Sequence, residues 1–286
     1  MLVDIIIVTY FSAKEIRACL ESLMMQTVFP QCHVWIIDND SRDDTLHVVE
    51  AVVSSNITLL PLKENIGFGR AINEAARQAK SEFIYLLNPD ALLTTPQDLE
   101  RLIAFAHAHP RAGVIGSRVL EPSGKETKPR QYYPQEKNMR TSLGNLPGEF
   151  AWVIGASFLL RTSVFNQVHG FDPDFFLYGE EVDLCLRIRK QGFEIAFDGD
   201  VVVEHIGSAS ANQLPSYQKK MLKAKGLYLF LQKHYPLNEV RALAKRNGRR
   251  ALFRYWMNAC FSPRKANMYR AERDAAKQFL SQPTVP

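Results

Sequence analysis

The 286-residue sequence predicts an α/β fold: a mostly parallel sheet flanked by helices, followed by a helical C-terminal extension. Three observations predict it. First, short β-branched apolar runs alternate with amphipathic stretches through the first third of the chain. A strand that is apolar on every residue is buried on both faces, which a parallel sheet between helices provides. Second, apolar residues make up 46% of the chain and charged residues 23%. That is enough for a large core and too mixed for a disordered, collagen-like or polytopic membrane protein. Third, the charge changes sign along the chain: residues 1–211 carry 19 basic and 27 acidic side chains, and residues 212–286 carry 16 and 3. The body is acidic and the tail is basic.

In chain order, 3–8 is a strand, 13–25 a helix, 34–38 a strand, 43–53 a helix, 58–62 a strand, 71–80 a helix and 83–87 a strand. This βαβαβαβ order demands crossover connections between parallel neighbours. After a short run at 113–117, residues 120–148 are rich in Pro, Lys and Gly and read as a long loop of the kind that forms lids. Residues 152–160 resume as a strand, 164–168 is a short helix, and 180–191 is a helix closed by Gly192. Two short strands, 193–197 and 201–204, lead to His205. From Tyr217 the pattern is helical and basic, with 217–234 and 237–256 split by Tyr235-Pro236.

Ligands in such sheets bind beyond the carboxyl ends of the strands, so the residues there are candidates in any family. They are Thr9 and Tyr10, then Asp38-Asn39-Asp40-Ser41, then Glu64-Asn65-Ile66-Gly67-Phe68-Gly69-Arg70, then Asn88-Pro89-Asp90. Gly67 and Gly69 allow close backbone approach and Arg70 could reach a diphosphate; a turn with a solvated Arg is the structural alternative. It is not a dinucleotide fingerprint, because Ile72 stands at the third glycine position and the loop follows the third strand. Asn88-Pro89-Asp90 places a carboxylate where an apolar strand stops, which suits a hard divalent cation shared with a diphosphate and equally an ordinary turn.

Tyr178-Gly179-Glu180-Glu181-Val182-Asp183 gathers carboxylates at a helix start, where acidic residues also serve as caps. The loop before it, Gly170-Phe171-Asp172-Pro173-Asp174-Phe175-Phe176-Leu177, is aromatic. Aromatic walls desolvate a carboxylate and raise its pKa toward general-base use. His205, followed by Ile206-Gly207-Ser208-Ala209-Ser210, becomes a ligand candidate only if Asp90 holds a metal.

The basic tail attracts phosphate, whether of nucleic acid or of an anionic membrane leaflet, and its sign alone does not choose. Lys219, Lys220, Lys223 and Lys225 mix with Leu222, Leu227, Tyr228, Leu229 and Phe230; Arg249, Arg250 and Arg254 mix with Leu252, Phe253, Tyr255 and Trp256. Both stretches can lie on an anionic surface; a solvated face or an oligomer contact is the alternative. Only charge points to nucleic acid, so no nucleic-acid partner is expected. A non-catalytic nucleotide- or nucleic-acid-binding protein is the competing class. A nucleotidyltransferase is a second enzymatic one, although Thr9-Tyr10-Phe11-Ser12 lacks the Gly- and Lys-rich phosphate loop it needs. Cys19, Cys32, Cys185 and Cys260 are scattered and read as free thiols, and an N-terminus running straight into a strand predicts a cytoplasmic protein.

Taken in order, Val8-Thr9-Tyr10, Ile37-Asp38-Asn39-Asp40-Ser41, Asn65-Ile66-Gly67-Phe68-Gly69, Asn88-Pro89-Asp90, Gly155-Ala156, Gly179-Glu180-Glu181-Val182-Asp183-Leu184 and His205 carry a resemblance. Over about residues 3–211 the sequence resembles the inverting family 2 glycosyltransferases, and within them the rhamnosyltransferases of bacterial polysaccharide assembly. The resemblance implies a GT-A-type, nucleotide-diphospho-sugar transferase fold. Residues 1–211 would be the catalytic domain, with a nucleotide-binding half at 1–117 and an acceptor-side half at 118–211; residues 212–286 would be a basic helical extension. It implies a nucleotide-sugar site of Thr9, Tyr10, Asp38, Asp40, Asn65, Gly67, Gly69, Arg70, Asn88, Pro89 and Asp90, with Asp38 accepting the N3–H of uracil or thymine. Asp90 holds the last position of the family's Asp-x-Asp motif and is the implied ligand of Mg²⁺ or Mn²⁺, with His205 second. Glu181 stands where the family has its catalytic Asp and is the implied base; Glu180 and Asp183 are the alternatives.

Two departures matter: Asn88 replaces the first aspartate of Asp-x-Asp, and Glu181 is one methylene longer than Asp. The implied reaction is metal-dependent inverting transfer of a sugar, first L-rhamnose from dTDP-L-rhamnose and otherwise a UDP-hexose or UDP-N-acetylhexosamine. The acceptor would be a glycan or lipid-linked saccharide at the cytoplasmic face of the inner membrane, where the chain would make peripheral contact with anionic lipid.

Overall fold

The structure, a computed structural model, describes residues 1–52, 54–206 and 214–283. Its first strand, β1 (Val3–Thr9), is buried along its whole length. Because successive strand residues face opposite sides, Val3, Ile5 and Ile7 enter one core while Ile6 and Val8 enter another. The chain continues as α1 (Ile16–Met24), β2 (Cys32–Asp38), α2 (Thr45–Glu50), β3 (Ile57–Pro61), α3 (Phe68–Ala76), β4 (Phe83–Leu87), β5 (Ala91–Leu93) and α4 (Asp98–Ala108). Then come β6 (Ala112–Leu120), β7 (Glu126–Thr127), β8 (Ser157–Arg161), α5 (Thr162–Gln167), α6 (Glu180–Lys190), β9 (Glu194–His205), α7 (Ser216–His234), α8 (Leu237–Asn258) and α9 (Pro263–Ser281).

One sheet runs in the order β3-β2-β1-β4-β8-β6-β9-β5, with β7 on β6. The strands β3, β2, β1 and β4 are parallel, as the apolar runs predict. Beyond them β8 inserts antiparallel between β4 and β6, and β6 and β9 run parallel. Apolar faces of α1, α2 and α4 cover one side, and α3, α5 and α6 the other. The parallel strands end together on one edge, where the N-terminal approach to β8 meets them: Asn88 N–H donates to the Ala156 carbonyl at 2.9 Å.

Several elements differ from expectation. The expected strand at 152–160 is confined to β8; Trp152 instead bridges Arg130. The two strands expected at 193–197 and 201–204 are one, because a register shift opposite Ser117/Arg118 accommodates the residues between them. Helix α4 is additional, its start held by Asp98 accepting from the Thr94 and Thr95 N–H groups at 2.8 and 2.7 Å. Helix α9 is additional too. The 120–148 loop is pinned: Arg189 donates to the Leu146, Pro147 and Gly148 carbonyls at 2.9–3.2 Å. The expected boundary at 211/212, the Gly207-Ser208-Ala209-Ser210 run and Val53 lie outside the described residues.

The extension shares a core with the body. Phe175, Val182 and Leu186 pack with Tyr228, Phe230, Leu231, Val240 and Phe279. Of the residues expected to be able to lie on an anionic surface, Tyr228 and Phe230, with Gly226 and Leu231 beside them on α7, are buried, Lys220 pairs with Glu272 at 2.7 Å, and Lys223 and Lys225 stay exposed. No helix among the described residues is long and apolar enough to cross a membrane.

Candidate active site

A cavity of about 550 Å³ opens at the shared strand edge. Of the residues the sequence singles out, Tyr10, Asn65, Gly67, Asn88, Pro89, Asp90, Glu180, Glu181 and His205 line it. Thr9, Asp38, Asp40, Gly69, Arg70 and Asp183 do not.

The reasons are local. Asp38 is buried at the end of β2, and its carboxylate accepts from Thr9 Oγ1 and Ser41 N–H, both at 2.8 Å. Thr9 therefore holds Asp38 rather than facing a ligand, and Asp38, expected to meet a base, is committed to the turn. One residue on, Asn39 faces the cavity. Its Nδ2 donates to Asn65 Oδ1 at 2.9 Å, and its Oδ1 accepts from Ile66 N–H at 2.9 Å. Asn39 thus ties the second strand end to the third. Asp40 pairs with Arg42 at 2.9 Å, turned outward.

Gly67 requires its hydrogen side chain: its φ is +92°, and a Cβ there would sit 2.5 Å from the Phe176 carbonyl oxygen. This close approach, with Phe68 N–H donating to the same carbonyl at 3.0 Å, seats the aromatic loop against the start of α3. Gly69 packs on the Phe171 side chain. Arg70, expected to reach a diphosphate, donates to the Pro173 carbonyl at 2.6 Å.

Pairing of Ala91 with His205 across β5 and β9 sets His205 beside Asp90 in the cavity lining. His205 Nε2 lies 3.1 Å from Asp90 Oδ1 and 3.4 Å from Asn88 Nδ2. A carboxylate oxygen and an imidazole nitrogen this close, facing one cavity, fit adjacent positions around one divalent cation. Among the described residues no cluster of three His, Cys, Asp or Glu side chains completes an all-protein cage. The remaining positions would fall to diphosphate oxygens and water, the usual way Mg²⁺ is held.

Glu180 and Glu181 begin α6. Glu180 is buried, its Oε2 has no hydrogen-bond partner, and burial together with the neighbouring Glu181 charge pushes its carboxyl well above the ordinary range. Glu181 reaches the cavity with one oxygen held by the Gly179 N–H at 3.2 Å. Burial raises its pKa as well, opposed by backbone hydrogen bonds and by the positive charge of Lys223. Asp183 faces elsewhere: His234 Nε2 and Arg187 Nε each lie 2.7 Å from it. Burial pushes its carboxyl up, but these partners outweigh burial and hold it below its ordinary value. It is a structural ion pair, not a group available to a substrate.

The cavity also has walls the sequence did not assign: Trp152, Ile154, Phe176, Leu177, Leu222 and Lys223. Of these, Phe176 and Leu177 were legible as an aromatic loop before the acidic helix. Leu222 and Lys223 come from α7, more than forty residues beyond Glu181, and only tertiary packing brings them there.

With this geometry in view, the comparisons with known proteins are specific. The chain matches the family described as Glycosyl transferase family 2 over residues 4–182. A Mycobacterium tuberculosis (strain CDC 1551 / Oshkosh) protein named N-acetylglucosaminyl-diphospho-decaprenol L-rhamnosyltransferase is 28% identical over 260 residues, covering 79% of this chain and 83% of that one. Among solved structures, the Pyrobaculum calidifontis mannosyltransferase PcManGT in complex with GDP-Man and Mn²⁺ superposes with a TM-score of 0.63 at 19% identity, covering 98% of this chain and 87% of that one. S. aureus TarS 1-349 in complex with UDP gives a TM-score of 0.59 at 19% identity, covering 97% and 92%.

Proposed function

The chain belongs to glycosyl transferase family 2 and has a GT-A-type fold, and from that premise we propose that it transfers L-rhamnose from dTDP-L-rhamnose to a glycan or lipid-linked saccharide, with inversion at the anomeric carbon. The named rhamnosyltransferase relative supports the sugar. One observation carries the chemistry: a single cavity is lined by both the Asp90–His205 pair and the raised carboxyl of Glu181.

In the proposed reaction Glu181 accepts the proton of the acceptor hydroxyl, whose oxygen attacks the anomeric carbon as the bond to the nucleoside diphosphate breaks. Desolvation makes Glu181 a stronger base than an exposed carboxylate, and the Gly179 N–H fixes its direction. Glu180, deeper and pushed further up, contributes no second negative charge while protonated. Tyr10, Asn65 and the Gly67 turn form the wall along which the nucleoside would lie. A Mg²⁺ or Mn²⁺ ion held by Asp90 and His205 would supply positive charge to the departing diphosphate.

The reading extends to the membrane through the corner between α8 and α9. There Phe253, Trp256 and Phe261 are 67%, 69% and 90% exposed, amid the exposed Arg249, Arg250, Arg254, Arg264 and Lys265. Exposed aromatics ringed by cations match an anionic leaflet, where a lipid-linked acceptor would be presented.

The test is turnover of a panel of nucleotide-sugars with and without Mn²⁺. dTDP-L-rhamnose should be consumed and a UDP-hexose should not. Glu181→Gln should lower turnover by about 10²–10⁴-fold with donor binding nearly intact, the usual contribution of a general base. Turnover of the variant at the wild-type rate would remove Glu181 from the mechanism, and selective turnover of a UDP-sugar would replace the donor.

A further inference from the structure

The acid walls of the cavity pose a charge problem. Asp90, Glu180 and Glu181 face it, and a donor diphosphate brings more negative charge. Arg70, the cation expected from the sequence, donates to the Pro173 carbonyl and does not line the cavity. Among the described residues the cavity is lined by one Lys or Arg side chain, Lys223, and it comes from the C-terminal extension.

We infer that Lys223 is a binding residue for the diphosphate of the nucleotide-sugar, so that the extension completes the donor site. The inference rests on the donor reading above. Its geometry begins with Gly226, one turn further along α7. A Cβ on Gly226 would fall 2.9 Å from the Tyr178 carbonyl carbon and closer still to its oxygen, so α7 crosses the turn before Glu180 at backbone contact. That crossing leaves Lys223 over the start of α6. Its ammonium lies 4.9 Å from the centroid of the Tyr178 ring, a cation–π contact that limits where it can swing.

Lys223 is exposed to solvent where it lines the cavity, and a hydrogen bond from its ammonium to a phosphate oxygen is charge-assisted, stronger than one between neutral groups. Partial desolvation and neighbouring Lys220 lower its pKa while Glu181 raises it. Lys223 lines the same cavity as Asp90 and His205 and brings positive charge to it independent of any bound cation. A lysine held only for packing would do without the nearby carboxylate and without an opening to the cavity.

The experiment compares full-length wild type, Lys223→Met and Lys223→Arg, titrating thymidine, dTDP and UDP by calorimetry with and without Mn²⁺, alongside thermal melts. Lys223→Met should weaken dTDP by about 10–100-fold, the range for a charge-assisted hydrogen bond, and leave thymidine within about twofold. Lys223→Arg should recover most of the loss. Equal weakening of thymidine and dTDP, or no weakening of dTDP, overturns the inference. A wild-type chain that binds no nucleoside diphosphate overturns the donor reading and this inference with it. Melts within a degree of wild type show that the Met variant is folded; should it melt low, Lys223→Gln is titrated in its place.

Discussion

Substituting Gly226 by Ala sets two physical effects against each other. Alanine is the better helix former by about 1 kcal/mol in a helix interior, so propensity alone predicts a more stable protein. Packing predicts the reverse. The new methyl group would fall on the Tyr178 carbonyl, a backbone group that cannot rotate away. Relieving the overlap requires α7 to lift by about 1 Å, and overpacking of this kind costs about 1–3 kcal/mol. The balance is a destabilisation of up to about 2 kcal/mol, a fall in Tm of several degrees at about 2–4 °C per kcal/mol. Because Lys223 and Leu222 ride on the same helix, the lift also moves one wall of the cavity, and a displacement near 1 Å can cost about 10²-fold in rate. Thermal melts and kcat/KM for the nucleotide-sugar measure both. A G226A variant that melts above wild type with unchanged kcat/KM would show that α7 does not press on the Tyr178 turn in solution, and the role assigned to Lys223 would lose its geometric basis.

Two further outcomes are expected. Glu180 has a raised pKa, so the folded chain binds its proton more tightly than the unfolded chain, and stability falls as pH rises from the ordinary carboxyl value toward the folded one. Glu180→Gln should therefore raise Tm at pH 8 and leave it nearly unchanged at pH 4; equal shifts at both would refute the burial argument. At the α8–α9 corner, changing Arg249, Arg250 and Arg254 to Gln removes about 1 kcal/mol each near an anionic surface, so sedimentation with anionic vesicles should weaken by about 100-fold while binding to neutral vesicles stays low. Identical sedimentation of variant and wild type would refute membrane docking at this corner.

The strands of the body are legible in the sequence because burial on both faces leaves an unbroken apolar run, and their ends are legible because polarity begins abruptly there. Direction at those ends is less legible. Asp38 and Asn39 are adjacent, yet strand alternation sends one into the turn and the other to the cavity. On α6, Glu181 and Asp183 differ by two positions, about 200° around the helix, which is why one meets the cavity and the other meets His234 and Arg187. The basic tail reads as one amphipathic surface. In the structure its first helix turns its apolar side into the core, while the α8–α9 corner leaves Phe253, Trp256 and Phe261 open, because helix packing depends on close approach such as that at Gly226 and not on composition alone.

The change of charge sign along the chain thus has a local consequence. An acidic body that ends its strands in Asp90 and begins α6 with Glu180 and Glu181 would repel a diphosphate by itself. Burial raises the Glu180 pKa and so disfavours one of those charges, and the basic extension contributes Lys223 to the same cavity. If the diphosphate binds there, it bridges the Asp90–His205 wall and the α7 wall, and its departure after transfer severs both links together. Donor binding should then hold α7 against the Tyr178 turn, and product release should loosen it. The two parts of the chain, which differ by sign in the sequence, would be coupled through the substrate they share.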